Sequence, residues 1–244
     1  MNKKVVLVTG GSRGIGESIS KVMASKKYNV VINYLNSSDK AEALKNELEE
    51  KYGVEVLTIR ADVSKEEDVK KMVDEVINKF GYIDCLVNNA GIAIDSLVED
   101  KKVEDFQKIL NVNLIGTFIL SREVAKYMME RKYGNIINIS STNGIDTNYA
   151  YSLDYDASKA GVISLTHNLA ELYAPYIRVN SIAPGWVLTE MNKELDSDYK
   201  SKEEEKILLK RFANPEEIAN VVAFLASDEA SYINNSVIRV DGGV

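Results

Sequence analysis

Tyr155 and Lys159 stand four residues apart in the run Tyr-Asp-Ala-Ser-Lys, at the head of a helical pattern. On a helix that spacing puts both side chains on one face, within reach of a common ligand. A phenol ionises near pH ~10 and is a poor acid–base group until something stabilises the phenolate. A neighbouring ammonium favours that charged form and lowers the phenol pKa. The pair is therefore a candidate general acid/base for a carbonyl or alcohol oxygen. Ser141 follows the apolar run Ile136–Ile139, and its hydroxyl could donate to the same oxygen. By itself, a tyrosine beside a lysine is equally an ordinary surface pair, so the neighbouring segments decide.

Thr9-Gly10-Gly11-Ser12-Arg13-Gly14-Ile15-Gly16 links the apolar run Val5–Val8 to a helical pattern. Glycines at a strand-to-helix turn let the backbone bend tightly and approach a pyrophosphate. The following helix N-terminus offers that anion unpaired N–H groups. A turn that merely needs positive φ would also use glycine, so the cluster alone names no chemistry. Asn88-Asn89-Ala90-Gly91 follows a second apolar run, Ile83–Val87; its amides can tie loop backbones together, and Gly91 permits close approach. Asn113 lies inside the helical pattern Val103–Arg131, where asparagine is mildly unfavourable and wants a hydrogen-bonding reason.

The elements that must position these residues follow from hydrophobic periodicity. Apolar runs at Val5–Val8, Val30–Ile32, Val54–Ile59, Ile83–Val87, Ile136–Ile139, Ile177–Ile182 and Val237–Val240 alternate with helical patterns. The latter span Gly16–Lys26, Lys40–Lys51, Lys65–Phe80, Val103–Arg131, Asp156–Ala174 and Pro215–Ala226. Continuous apolarity implies strands buried on both faces, hence a parallel sheet covered by helices. The alternation predicts one α/β domain over residues 1–244, a doubly wound parallel sheet of about seven strands with helices on both faces. In such a sheet the carboxyl ends of the strands line the ligand crevice. Ser64 with Glu67 has capping-box spacing, and Asn214-Pro215 with Glu217 marks another helix start. Residues 190–210 are dense in charge and read either as a solvated surface helix or as a substrate lid.

With 45% hydrophobic and 27% charged residues, 244 residues suffice for a sizeable core. The net charge of −7 argues against nucleic acid, which needs a basic face. Cys85 is the only cysteine and lies in an apolar run, as a buried residue without a redox role would. His167 is the only histidine, and no Cys, His or Asp cluster has ligand spacing, so no metal is expected. No apolar stretch approaches the ~18 residues of a membrane span. The run Val5–Val8 is too short for a secretory signal, and a soluble, cytoplasmic protein without membrane contact is the expectation.

In their order and spacing, the glycine loop, Asn-Asn-Ala-Gly, Asn113, Ser141, Tyr155 with Lys159, Pro184-Gly185 and Val240-Asp241-Gly242-Gly243 resemble the short-chain dehydrogenase/reductase family. The resemblance covers essentially the whole chain. It implies a Rossmann-like fold and a hydride transfer between a nicotinamide dinucleotide and a carbonyl or alcohol carbon. Carried onto this sequence, Tyr155 is the proton donor, and Lys159 binds the nicotinamide ribose and lowers the Tyr155 pKa. Ser141 polarises the carbonyl, and Asn113 bends its helix and holds a relay water. Gly10, Ser12, Arg13, Gly14, Ile15 and Gly16 would cradle the pyrophosphate, with Asn36 and Ser37 at the adenosine ribose and Asp62 and Val63 at the adenine. Asn89, Ala90 and Gly91 would lie beneath the cofactor, and Pro184, Gly185, Val187 and Thr189 around the carboxamide. The 3-oxoacyl-(acyl-carrier-protein) reductases of the family are usually homotetramers built through the two long helices, here Val103–Arg131 and Asp156–Ala174. The apolar Ile163, Leu165, Leu169 and Leu172 are equally explained by a monomer core.

An acid at the end of the second strand would bind the ribose 2′-hydroxyl of NAD and repel a 2′-phosphate. Here Asn33-Tyr34-Leu35-Asn36-Ser37-Ser38 holds none, and Arg13 could meet a phosphate. NADP(H) is therefore favoured over NAD(H). Within the family the chain is most similar to 3-oxoacyl-(acyl-carrier-protein) reductases, which implies a 3-oxoacyl thioester as substrate. An alcohol dehydrogenase acting on a sugar, steroid or small ketone is the alternative, and an inactive cofactor-sensing protein the remote one. Acyl carrier protein is a possible partner: Arg131 and Lys132 match one basic docking position, while Glu171 and Tyr176 stand at the second. Two departures stand out. The Ser141–Tyr155 interval is one residue longer than the family's and carries Asn148-Tyr149-Ala150-Tyr151, and Asn234-Asn235 replaces the usual Thr-Gly.

Overall fold

A computed structural model describes residues 3–190 and 195–244. Seven strands form one sheet: β1 (Val5–Val8), β2 (Asn29–Tyr34), β3 (Val56–Arg60), β4 (Cys85–Asn88), β5 (Gly134–Ile139), β6 (Ile177–Pro184) and β7 (Val237–Val240). Their order is β3-β2-β1-β4-β5-β6-β7, and every neighbouring pair is parallel. The chain winds outward from β1 to β3 and then returns to β4 on the other side of β1. That reversal opens a crevice at the carboxyl ends of β1 and β4.

The strands are apolar throughout because both faces are buried. In β1, Val6 and Val8 join one core with Ile19, Leu44, Leu48, Ile218 and Val222. Those residues come from α1 (Gly14–Ser25), α2 (Ser38–Tyr52) and α8 (Pro215–Ala226). Val5 and Leu7 face the opposite core with Val69, Met72, Val73, Val76, Leu120, Val124 and Leu169. That face is covered by α3 (Glu66–Phe80), α5 (Gly116–Arg131) and α6 (Leu153–Tyr173). The α3 residues 69, 72, 73 and 76 recur at helical spacing, which lays one stripe on the sheet. Each such side chain contributes roughly 1.5–3 kcal/mol on burial.

Three local expectations change. The helical pattern Val103–Arg131 is split into α4 (Val103–Leu110) and α5 by a π-turn at Asn111–Ile115. Ser64 does not cap α3, which begins at Glu66 after Lys65; its hydroxyl donates instead to Asp62 Oδ1 at 2.7 Å. Asp62 also accepts from the Ser64 N–H at 3.0 Å, so the local turn outcompetes the capping box. The helix read from Asp156 begins at Leu153, which places Tyr155 in its first turn. At α8 the expected start holds, with the Glu217 carboxylate accepting from the Asn214 N–H at 2.8 Å.

Residues 190–210 include α7 (Ser197–Lys206), a helix with no buried residue, while Met191–Glu194 lie outside the described residues. Tyr199 packs edge-on against Trp186 at 6.3 Å, and Ile207 is buried. Leu169 belongs to the monomer core, whereas Leu172 is exposed on the same helix. Among the described residues no helix is long and apolar enough to cross a membrane.

Candidate active site

A cleft of about 1000 Å³ opens along the carboxyl ends of the strands. At one end, Gly10 and Gly14 adopt φ values of +59° and +55°. Both lie in the left-handed region that glycine tolerates without a Cβ penalty. A Cβ on Gly16 would stand 2.2 Å from the Gly10 carbonyl oxygen, so only glycine lets α1 start this close to the loop. The first N–H groups of α1 are thus left at the cleft, a ready anion site. Thr9 holds the loop from below: its hydroxyl accepts from the N–H groups of Asn89 and Ala90, each at 3.0 Å. Asn89 Nδ2 returns the link by donating to the Thr9 carbonyl at 2.9 Å. Asn88 instead joins a buried relay, donating to Ser121 Oγ at 3.0 Å and Asn138 Oδ1 at 2.8 Å.

At the other end stand Ser141, Tyr155 and Lys159. Gly144 packs against the α6 backbone, where a Cβ would meet the Lys159 carbonyl carbon at 2.6 Å. That close approach brings the turn after β5 onto the helix and lets Ser141 hydrogen-bond the Tyr155 phenol. Ser140 cannot serve as well, because its hydroxyl is committed to the Ile182 carbonyl at 2.9 Å. Lys159 is buried and donates to the Ile139 carbonyl at 2.8 Å, with its ammonium 5.4 Å from the Tyr155 ring centre.

The electrostatics depart from expectation. Burial pushes the Tyr155 phenol up to about 12, against the lowering contributed by the Ser141 hydrogen bond. Burial also pushes Lys159 down to about 8. No lowering by Lys159 offsets that rise in this geometry, where the ammonium donates to the Ile139 carbonyl.

Every residue expected at the cofactor lines this cleft: Gly10, Ser12, Arg13, Gly14, Ile15, Gly16, Asn36, Ser37, Asp62, Val63, Asn89, Ala90, Gly91, Pro184, Gly185, Val187 and Thr189. Asn113 is not at the cleft wall. Its Oδ1 accepts from the Ile92 N–H at 2.9 Å, and its Nδ2 donates to the Ile92 carbonyl and to Ser158 Oγ, each at 3.0 Å. The π-turn gives Asn113 the position from which it clamps the loop after β4 to α6.

Sequence reasoning missed Asn33, whose Oδ1 accepts from the Gly10 N–H at 3.3 Å. It also missed Arg60, whose Nε donates to the Leu35 carbonyl at 3.1 Å and so stands beside the 35–37 loop. A base at the carboxyl end of β3, read against the acid-free end of β2, was the available signal. Glu104, Gln107 and Lys108 of α4 also reach the cleft. Elsewhere, His167 is exposed and pairs with Asn235 Oδ1 at 2.5 Å. Asn235 adopts φ +59°, a left-handed conformation asparagine tolerates, which explains its presence where the family usually has glycine. Arg131 is engaged by Asp84 at 3.2 Å and stacks over Tyr82, and Lys132 lies over the Tyr176 ring.

The comparisons agree with this architecture. Residues 10–244 match the family described as enoyl-(acyl carrier protein) reductase. The 3-oxoacyl-[acyl-carrier-protein] reductase FabG of Staphylococcus epidermidis is 45% identical, covering 100% of this chain and 99% of that protein. Its counterpart in Aquifex aeolicus is 41% identical over 99% of this chain and 97% of its own length. Among solved structures, levodione reductase superposes with a TM-score of 0.93 at 36% identity, covering 99% of this chain and 97% of its own. A short-chain dehydrogenase/reductase double mutant from Serratia marcescens gives 0.92 at 35% identity, with 99% and 98% covered. The chain belongs to the short-chain dehydrogenase/reductase family, nicotinamide-dependent oxidoreductases acting on C=O and CH–OH groups.

Proposed function

We propose that this enzyme reduces the 3-oxo group of an acyl thioester to the 3-hydroxy group with NADPH. The supporting observation is the placement of Ser141, Tyr155 and Lys159 at one end of a cleft whose other end is the Gly10–Gly16 loop. The full-length likeness to 3-oxoacyl-[acyl-carrier-protein] reductases supports the substrate class.

The glycine loop and the α1 N-terminus fit the pyrophosphate, and a side chain at Gly10 or Gly16 would fill that cradle. Lys159 and Gly185 would hold the nicotinamide end, and Asp62 and Val63 the adenine. Arg60 stands beside the acid-free 35–37 loop and Arg13 lines the same cleft, which suits a 2′-phosphate. Bound there, the nicotinamide supplies the hydride. Ser141 orients the carbonyl oxygen by donating to it, and Tyr155 gives its hydroxyl proton to that oxygen as it becomes the alcohol. With a phenol pKa near 12, Tyr155 is fully protonated at neutral pH, the form that reduction needs. Asn113 keeps the loop at Ile92 in place.

The test is loss of NADPH absorbance with acetoacetyl-CoA, run beside NADH and small cyclic ketones. Turnover with NADPH and the thioester is expected, and Tyr155→Phe should abolish it while leaving NADPH binding nearly intact. Activity on cyclic ketones alone would overturn the thioester assignment. Tyr149 and Tyr151, with ring centres 5.4 Å apart in the segment that leads into Tyr155, make that arm worth running.

A further inference from the structure

Lys101 and Asp154 form an ion pair at 3.0 Å with side chains 5% and 0% exposed, whereas each of the other ion pairs among the described residues keeps at least one partner at the surface. Burying both charges is costly, and an apolar pair of similar volume would usually serve stability as well. The pair's location supplies a reason. Lys101 belongs to the loop after β4 and also donates to the Ile94 carbonyl at 2.5 Å, at the cleft wall. Asp154 immediately precedes Tyr155 and accepts from its N–H at 3.0 Å. The same two segments meet again where the Ser96 N–H donates to the Tyr151 carbonyl at 3.0 Å.

The residue on the other side of Tyr155 does the corresponding work toward the opposite wall. Asp156 accepts from Asn143 Nδ2 at 2.6 Å and from the Tyr149 N–H at 3.0 Å. Asn143 lies in the turn that also presents Ser141, and Tyr149 opens the lengthened tyrosine segment.

We propose that Asp154 and Asp156 are positioning residues for Tyr155: Asp154, through Lys101, fixes the head of α6 to the loop after β4, and Asp156 fixes it to the turn after β5. One tripeptide thus sets the acid and both walls of the substrate cleft. The inference rests on the reading of Tyr155 as the proton donor. The groups that bear on the phenol are Asp156 and Lys159 on its own helix and Ser141 from the turn after β5, while Asp154 holds the Tyr155 backbone N–H. The charge on Asp156 raises the phenol pKa, so that carboxylate bears on acidity as well as on geometry.

The test compares the wild type, Lys101→Met, Lys101→Met with Asp154→Asn, Asp156→Asn and Tyr155→Phe. The probes are acetoacetyl-CoA and NADPH, with 3-hydroxybutyryl-CoA and NADP for oxidation. Lys101→Met strands a buried carboxylate at the head of α6, so the melting temperature should fall. Adding Asp154→Asn should recover the melting temperature, yet leave kcat at least tenfold down with KM and NADPH affinity little changed. Asp156→Asn should move the rising limb of the oxidation pH profile to lower pH. Amide exchange, which needs no turnover, should quicken over residues 92–100 and 149–156 in the doubly substituted protein. Wild-type kcat and unchanged exchange in that protein would overturn the proposal. Retained activity in Tyr155→Phe would instead remove the assignment of the acid, and exchange would still judge the bracket.

Discussion

Substitution of Gly16 by alanine sets two physical effects against each other. Gly16 lies in the first turn of α1, where alanine would gain about 1 kcal/mol of helix propensity. The added Cβ, however, would stand 2.2 Å from the Gly10 carbonyl oxygen, 2.6 Å from Asn89 Nδ2 and 2.9 Å from the Gly10 carbonyl carbon. Relief requires a shift of roughly an ångström, and overpacking of this kind costs about 1–3 kcal/mol. The upper end applies, because the obstacle is backbone at φ +59° that Asn89 also holds. The net of about 2 kcal/mol falls on the loop that would carry the pyrophosphate, a weakening of roughly thirtyfold in NADPH affinity. Fluorescence titration with NADPH measures it, beside a thermal melt without cofactor. Gly53→Ala is the matched control: at φ +62° with open space around it, it should cost about 1 kcal/mol of stability and leave NADPH affinity alone. An unchanged dissociation constant with a raised melting temperature in Gly16→Ala would refute the reasoning.

Lys159→Met should stabilise the fold at pH 7 while ending turnover. The folded pKa of about 8 lies below the ordinary 10.5, so the penalty is full below pH 8 and is relieved as pH rises toward 10.5. That difference is worth about 3 kcal/mol, offset by about 1 kcal/mol for the lost bond to Ile139. Melts from pH 7 to 10 should show the gain shrinking, and a gain independent of pH would be against it. Arg13→Ala combined with Arg60→Ala should cut the preference for NADPH over NADH at least tenfold with little change in NADH turnover, as parallel kcat/KM values would show. Asn113→Ala strands both backbone groups of Ile92 and should cost about 2–4 kcal/mol in denaturant unfolding. Its kcat should fall as well, and a wild-type kcat would remove Asn113 from the positioning of the site.

The strand set, the parallel sheet and the glycine loop were legible because each rests on a local property of the chain. Val5–Val8 reads as a doubly buried strand from its residues alone, and its alternate side chains do enter the two opposite cores. Tyr155 and Lys159 were legible because helical spacing is itself a geometric statement. The split at Asn111–Ile115 was not, because a π-turn differs from a continuous helix by backbone bonds that leave the apolar period nearly unchanged. The Ser64 cap failed since a nearer partner, Asp62, competes for the same hydroxyl.

What the sequence by itself determined is the identity of the chemical groups and the strand ends on which they sit. Only the tertiary structure decided their state. Ser141 rather than Ser140 reaches the phenol because Ser140 is spent on Ile182 across the sheet. Packing raises the pKa of the Tyr155 phenol, lowers that of the Lys159 ammonium and turns that ammonium to Ile139. Lys101 meets Asp154 across 53 positions of chain, a partnership no local pattern encodes. Hydrogen-bond competition and desolvation depend on which groups the fold brings together, and that is settled only when distant segments pack.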